Sequence, residues 1–120
     1  MATCHADVPR PREEGVATVW AIAWIFVCLM IGWVGVVVAA VIAAQHRLDA
    51  AADLSVLSAA AELQRGRDAC GAAVEIARDN AAGIAHCRVD GDDVVVTVAR
   101  TVSLPFGVRG SLTSTARAGP

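Results

Sequence analysis

The chain has no lysine; its ten basic side chains are all arginine, set against twelve acids for a formal net charge of −2. The arginines stand singly among acids, so no basic patch for nucleic acid is present and no nucleic-acid partner is expected. Aromatic rings are scarce at 4% of residues, and after Ala44 only Phe106 carries one, histidine aside. A segment so poor in large apolar side chains buries little area and is marginal as an independent fold. No C-x2-C spacing occurs among the four cysteines. Cys4 precedes the long apolar run, Cys28 lies inside it, and Cys70 and Cys87 follow it. The pairs Cys4-His5 and His86-Cys87 therefore fall on opposite sides of that run, and neither a metal site nor a cofactor is expected.

Charge is also missing from one long stretch. Val16–Ala44 runs 29 residues without a charged side chain. As a helix it would be about 43 Å long, against about 30 Å for the hydrocarbon core of a bilayer. A single segment in lipid satisfies its own backbone hydrogen bonds only as a helix. The run is much longer than the ~7–15 apolar residues of a secretory signal. It is read as a single-pass transmembrane helix over 16–44, with membrane lipid as its first partner. Arg10 and Arg12 lie just before it and weigh toward a cytoplasmic N-terminus. The cell membrane is thus the expected location, with the C-terminal part extracytoplasmic. Residues 1–15, polar and with two prolines, are expected to be a disordered leader.

Within the apolar run Gly35, Ala39 and Ala43 recur every four residues and mark one stripe of small side chains. Such a stripe lets two membrane helices approach closely, so a helix-mediated homo-oligomer or partner contact is expected there. Trp20, Trp24 and Trp33 read as anchors at the lipid interface.

The remainder, 45–110, is expected to form a small α+β head. No proline occurs between Val16 and Gln64, and no glycine after Gly35 until Gly66. The membrane helix should therefore continue as an amphipathic helix over 45–65. Ala50, Leu54, Leu57 and Ala61 form its expected apolar stripe, with Asp49, Ser55 and Glu62 off it. A second helix is expected over 68–81, with Cys70, Val74 and Ala77 on one face and stop residues at Asn80 and Gly83. The period then changes to two. Ala85, Cys87 and Val89 alternate with His86, Arg88 and Asp90, and Asp90-Gly91 signals a turn. The hairpin over 84–103 returns through the β-branched Val94–Ser103. Residues 111–120 show no fold signal and are expected to be a flexible tail.

A two-stranded hairpin is marginal alone and needs a cover. A Cys70–Cys87 disulfide would staple the second helix to the first strand, provided the head lies in an oxidising compartment. Two buried free thiols are the alternative. Catalysis has no constellation to support it: His46 sits near the membrane boundary, His86 on the polar face of a strand, and no nucleophile–base pair is written. Asp90, Asp92 and Asp93 cluster at a turn, which turn chemistry explains without a bound cation.

Three features resemble the small TadE/TadG-like proteins of Flp-type (tight-adherence) pilus systems. They are Glu13-Glu14-Gly15 directly before Val16-Ala17-Thr18-Val19-Trp20; His46–Leu54 leading into Ser58-Ala59-Ala60-Ala61; and the terminal Thr115-Ala116-Arg117-Ala118-Gly119-Pro120. More narrowly, they are similar to actinobacterial TadE-like proteins encoded near a helicase and secretion ATPase. The resemblance implies a pseudopilin-like structural or assembly component of a Tad/Flp-type pilus or related secretion apparatus. It implies no enzyme activity, and as partners other TadE/pilin-like subunits or Tad secretion membrane proteins. It places a leader-cleavage junction between Gly15 and Val16. The chain departs from prepilins at the fifth residue after that junction, where Trp20 stands in place of glutamate. The alternative is a single-pass accessory subunit of another cell-envelope complex, with no filament role.

Overall fold

The structure, a computed structural model, describes residues 14–120. The first thirteen residues of the expected leader, with Cys4 and His5, lie outside the described residues. The elements are α1 (Glu14–Gln64), α2 (Ala69–Asp79), β1 (Gly83–Asp90), β2 (Asp93–Ser103) and β3 (Arg109–Ala118), with a single 3-10 turn at Pro105–Gly107. The chain divides into two units at Val36/Val37.

In the first unit, α1 is exposed at every described side chain from Gly15 to Val36. The helix from Gly15 is long and apolar enough to cross a membrane. Nothing in its sequence interrupts the helical hydrogen-bond ladder, because the proline that would remove a donor is absent. Glu14 and Gly15, expected in the leader, already belong to the helix.

The second unit begins with the rest of α1. The helix ends in a Schellman motif: the Arg67 N–H donates to Glu62 O (2.9 Å), the Gly66 N–H to Leu63 O (2.9 Å), and Gly66 holds a φ of 70°. α2 starts at Asp68, whose carboxylate accepts from the Gly71 N–H at 3.0 Å. It ends in a second Schellman pair, Ala82 N–H to Ala77 O and Ala81 N–H to Arg78 O. Here Ala81, not Asn80 or Gly83, takes the left-handed conformation (φ 54°). That position ordinarily belongs to glycine, since a Cβ costs roughly 1–2 kcal/mol there. Ala81→Gly is therefore expected to stabilise the head by about 1 kcal/mol, read as a raised melting temperature.

The sheet is antiparallel throughout, in the order β1-β2-β3. The expected two-stranded hairpin is thus three-stranded. The supposed flexible tail is an edge strand pairing with β2 from Val94↔Ala118 to Ser103↔Arg109. Its sequence, RGSLTSTARA, has no apolar run to announce a strand; pairing with β2 supplies the order that its own composition does not. Two-residue alternation also fails once in β1. A bulge between Ile84 and His86 leaves Ala85 exposed and turns Ile84 and Cys87 toward the core.

Val94, Val96 and Val98 on one face of β2 are fully buried, in a cluster with Leu48, Ala52, Val56, Ala59 and Ala60 of α1 and Ala69, Ala73 and Ala77 of α2. The burial phase of α1 is opposite to the sequence expectation. Leu54 and Leu57 are 52% and 60% exposed, whereas Ser55 is fully buried. Its hydroxyl donates to Ala51 O at 2.7 Å, so the buried polar atom is satisfied within the helix. The inward face of α1 instead carries Leu48 and Val56 with Ala52, Ala59 and Ala60, in one cluster with Val94, Val96 and Val98 of β2. Likewise Val74 of α2 is exposed, and Ala69, Ala73 and Ala77 face inward.

The opposite face of the sheet is open. It carries a cross-strand hydroxyl pair, Thr97–Thr115 (2.8 Å). At its β1–β2 end Arg117 Nε donates to Asp93 Oδ2 at 2.9 Å. That hydrogen bond, and then the charge of Asp93, raise the pKa of the Arg117 guanidinium further above its usual value.

Candidate functional site

The residues singled out by sequence fall at separate places. Gly15 and Val16 lie in the first turn of α1, both exposed, and the Thr18 hydroxyl donates to Gly15 O at 3.0 Å. A peptide bond held in a helical turn must unwind locally before a peptidase can engage it as an extended strand.

Gly35, Ala39 and Ala43 are all exposed. A Cβ built on Gly35 would meet no atom within 4 Å. The stripe is open along its length, as are Trp20, Trp24 and Trp33 at 63%, 62% and 56% exposure. At 100° per residue Ala39 and Ala43 share an azimuth with Ala50, Leu54, Leu57 and Ala61. In the second unit that azimuth is opposite to Leu48, Ala52 and Val56, which pack on the sheet. Sequence reasoning treated these as two stripes; the structure makes the second one outward-facing.

Cys70 and Cys87 are joined as a disulfide, with a Cα–Cα separation of 5.9 Å and a sequence separation of 17. The bulge in β1 turns Cys87 inward, and the Asp68 cap sets α2 so that Cys70 meets it. Cys28 is an exposed free thiol within the apolar run.

Of the titratable groups, His46 and His86 are exposed on α1 and β1, and neither makes a hydrogen bond or ion pair with another described residue. Glu62 pairs with both Arg65 and Arg67 at 2.6 Å, which ties down the end of α1. Asp90 and Asp93 face each other across the first hairpin. Its turn runs through Gly91 (φ 66°), a conformation that suits glycine at the first central position of a type II′ turn. Among the described residues no group of three or more histidine, cysteine or acidic side chains is arranged to hold a metal. Phe106, noted in the sequence without a role, stands 97% exposed at the tip of the β2–β3 hairpin. Its signal was present as the only aromatic ring beyond the apolar run.

Residues 15–62 match the model of the family described as "Putative Flp pilus-assembly TadE/G-like". Over the long helix the chain is similar to that family. The match covers the exposed apolar half of α1 and nearly all of the half that packs on the sheet, and leaves α2 and the strands outside it. No curated protein and no solved structure matches the chain. The TadE/G-like match points to pilus assembly, a structural rather than an enzymatic setting.

Proposed function

We propose that this protein is a membrane-anchored, pseudopilin-like structural component of a Tad/Flp-type pilus or related secretion apparatus. One observation carries the reading: the TadE/G-like match falls on a continuous helix whose first part is fully exposed and uncharged. The anchor crosses the cell membrane once, N-terminus inside. The head stands on the extracytoplasmic side, where an oxidising environment would maintain the Cys70–Cys87 bond.

Assembly runs through the helix. The open stripe of Gly35, Ala39 and Ala43 allows another α1-type helix to approach to backbone contact, where dispersion acts over the whole length. The expected partners are further TadE/pilin-like subunits, including copies of this chain, or Tad secretion membrane proteins. Replacing Gly35 and Ala39 together by leucine is expected to cut self-association severalfold, measured by energy transfer between labelled chains in vesicles. Unchanged association would remove the stripe from the mechanism.

The test of the proposal is the N-terminal residue and intact mass of the mature protein from the membrane fraction. A start at Val16 is expected, meaning that the leader is cut although Trp20 replaces the usual glutamate. A start at Met1 or Ala2 would describe a permanent anchor. Trp20 favours that second reading, an accessory subunit of another envelope complex with no filament role.

A further inference from the structure

The β2–β3 hairpin ends in an uncharged tip. From Thr101 to Val108 (TVSLPFGV) the chain carries no charge, and Arg100 and Arg109 bracket it. The Leu104 N–H donates to Val108 O at 2.7 Å and closes the loop. Phe106 stands out of that loop, 97% exposed, at φ 67° and followed by Gly107 at φ 76°. The left-handed region disfavours any residue with a Cβ, and no burial of the ring within the head offsets that cost. Arg109 is exposed and makes no ion pair among the described residues. From Val94 to Pro120 the chain carries three arginines and no acid.

A cleft of the opposite charge lies where α1 ends and α2 begins. It measures about 400 Å³. Half-buried Ser58, Ala72 and Ile76 line it together with the carboxylates of Glu62, Asp68 and Glu75. An apolar cavity of about 150 Å³ holds a benzene ring, so the cleft has room for a phenyl group. Three carboxylates line it against one guanidinium, that of Arg67. Arg67 already pairs with Glu62 at 2.6 Å, and Asp68 accepts from the Gly71 N–H. Glu75 is exposed and makes no hydrogen bond or ion pair with another described residue.

Phe106 cannot reach this cleft in its own chain. Gln45 Nε2 on α1 donates to Thr113 O at 3.4 Å, and Thr113 pairs with Ala99. From Gln45 the helix runs about 25 Å to Glu62. Val94, Val96 and Val98 of β2 pack along that same stretch, in one cluster with Leu48, Ala52, Val56, Ala59 and Ala60. Beyond Ala99 the strand therefore leads away from the cleft, and it ends at the tip. Ring and cleft sit at opposite ends of the head.

We propose that Phe106 of one copy inserts into the α1–α2 cleft of a second copy of this chain, with Arg109 paired to Glu75 across the contact. The ring gains against Ala72 and Ile76 the burial that its own head denies it, and two unpaired opposite charges meet beside it. The contact is heterologous. A head that gives its tip to one neighbour keeps its cleft open for another, so the contact repeats head to tail. Copies joined this way are offset along α1 and not level with one another. One ring and one ion pair bury far less than the roughly 1,000 Å² of a stable interface, so the contact is weak between two free chains and is read with a covalent trap. This inference concerns the head alone and does not depend on the Gly35 stripe.

The test uses the full chain in detergent micelles, where copies are free to offset. The photoreactive p-benzoylphenylalanine replaces the residue at position 106, keeping an aromatic ring there, or at position 92 on the opposite hairpin. Each probe chain is mixed with isotope-labelled partner chains, and mass spectrometry locates the cross-links. Light is expected to join position 106 to the partner chain between residues 58 and 76, with a yield severalfold above that from position 92. Arg109→Glu in the probe chain, or Glu75→Arg in the partner chain, should cut the yield severalfold. The two together should restore it, because the charges of the pair are then exchanged. Both side chains are exposed and unpaired, so neither change removes packing on which folding depends. Cross-links from 106 that miss the cleft, equal yields from 106 and 92, or a yield insensitive to both charge changes would each overturn the proposal. Helix-mediated association, measured by energy transfer, would survive that failure. Loss of that association upon the Gly35 and Ala39 substitutions, with the cross-link intact, would separate the two contacts and support this one.

Discussion

Replacing Cys70 and Cys87 together by serine is expected to destabilise the head by about 3 kcal/mol, the loop-closure entropy of a 17-residue separation. For a head of this size that is roughly 10–20 °C in melting temperature. The effect is large because the core has little else. Its largest fully buried side chains are Leu48, Val94, Val96, Val98 and Ser55, and the rest of it is mostly alanine. The bridge joins α2 to an edge strand, two elements that a small apolar core holds weakly. Calorimetry of the full chain in micelles, with and without reductant, makes the measurement. Reductant and the double substitution should give the same shift. A change below about 3 °C in either would mean that packing alone holds α2 on the sheet.

The second large effect concerns the face of α1 that meets the sheet. Ala52→Leu places extra methyl and methylene groups at a site with no exposed surface, and is expected to cost about 1–3 kcal/mol or to displace α2. Leu54→Ala and Leu57→Ala remove far more apolar volume. They should nevertheless change head stability by less than about 0.5 kcal/mol, because both side chains stand more than half exposed. If they cost more than Ala52→Leu, the helix would be rotated by half a turn from the orientation described. Loss of association in membranes with stability unchanged would instead extend the packing surface from Gly35 through Leu57, along one azimuth of α1.

That comparison shows where sequence reasoning stops. The long helix was legible because its determinants are local: an uncharged run, no proline, and no glycine between Gly35 and Gly66. The second helix, the Asp90-Gly91 turn and the strand through Val94–Val98 were legible for the same reason, as periodicity and turn chemistry act over a few residues. The phase of α1 was not. Hydrophobicity alone favours burying Leu54 and Leu57, but which face turns inward depends on the fit of the whole face to the sheet, and the face with Leu48, Ala52, Val56 and Ala59 is the one that packs.

The third strand was hidden for a related reason. Arg109–Ala118 has no apolar alternation of its own, and it is ordered by the backbone hydrogen bonds of β2, whose paired residues run from Ser103↔Arg109 to Val94↔Ala118. The bulge in β1 likewise belongs to the pairing and not to the sequence, and it decides that Cys87 rather than Ala85 faces the core. Phe106 could be noticed in the sequence as a solitary ring. Only the pairing of β2 with β3 puts it at the tip of a hairpin, 97% exposed. By itself the sequence determined that an uncharged helix leads into a small mixed α+β head, and that the helix resembles the TadE/G-like family, since those properties are summed residue by residue. The tertiary structure alone decided which faces are spent in the core and which remain open, because that choice is made by elements distant in the chain competing for the same space.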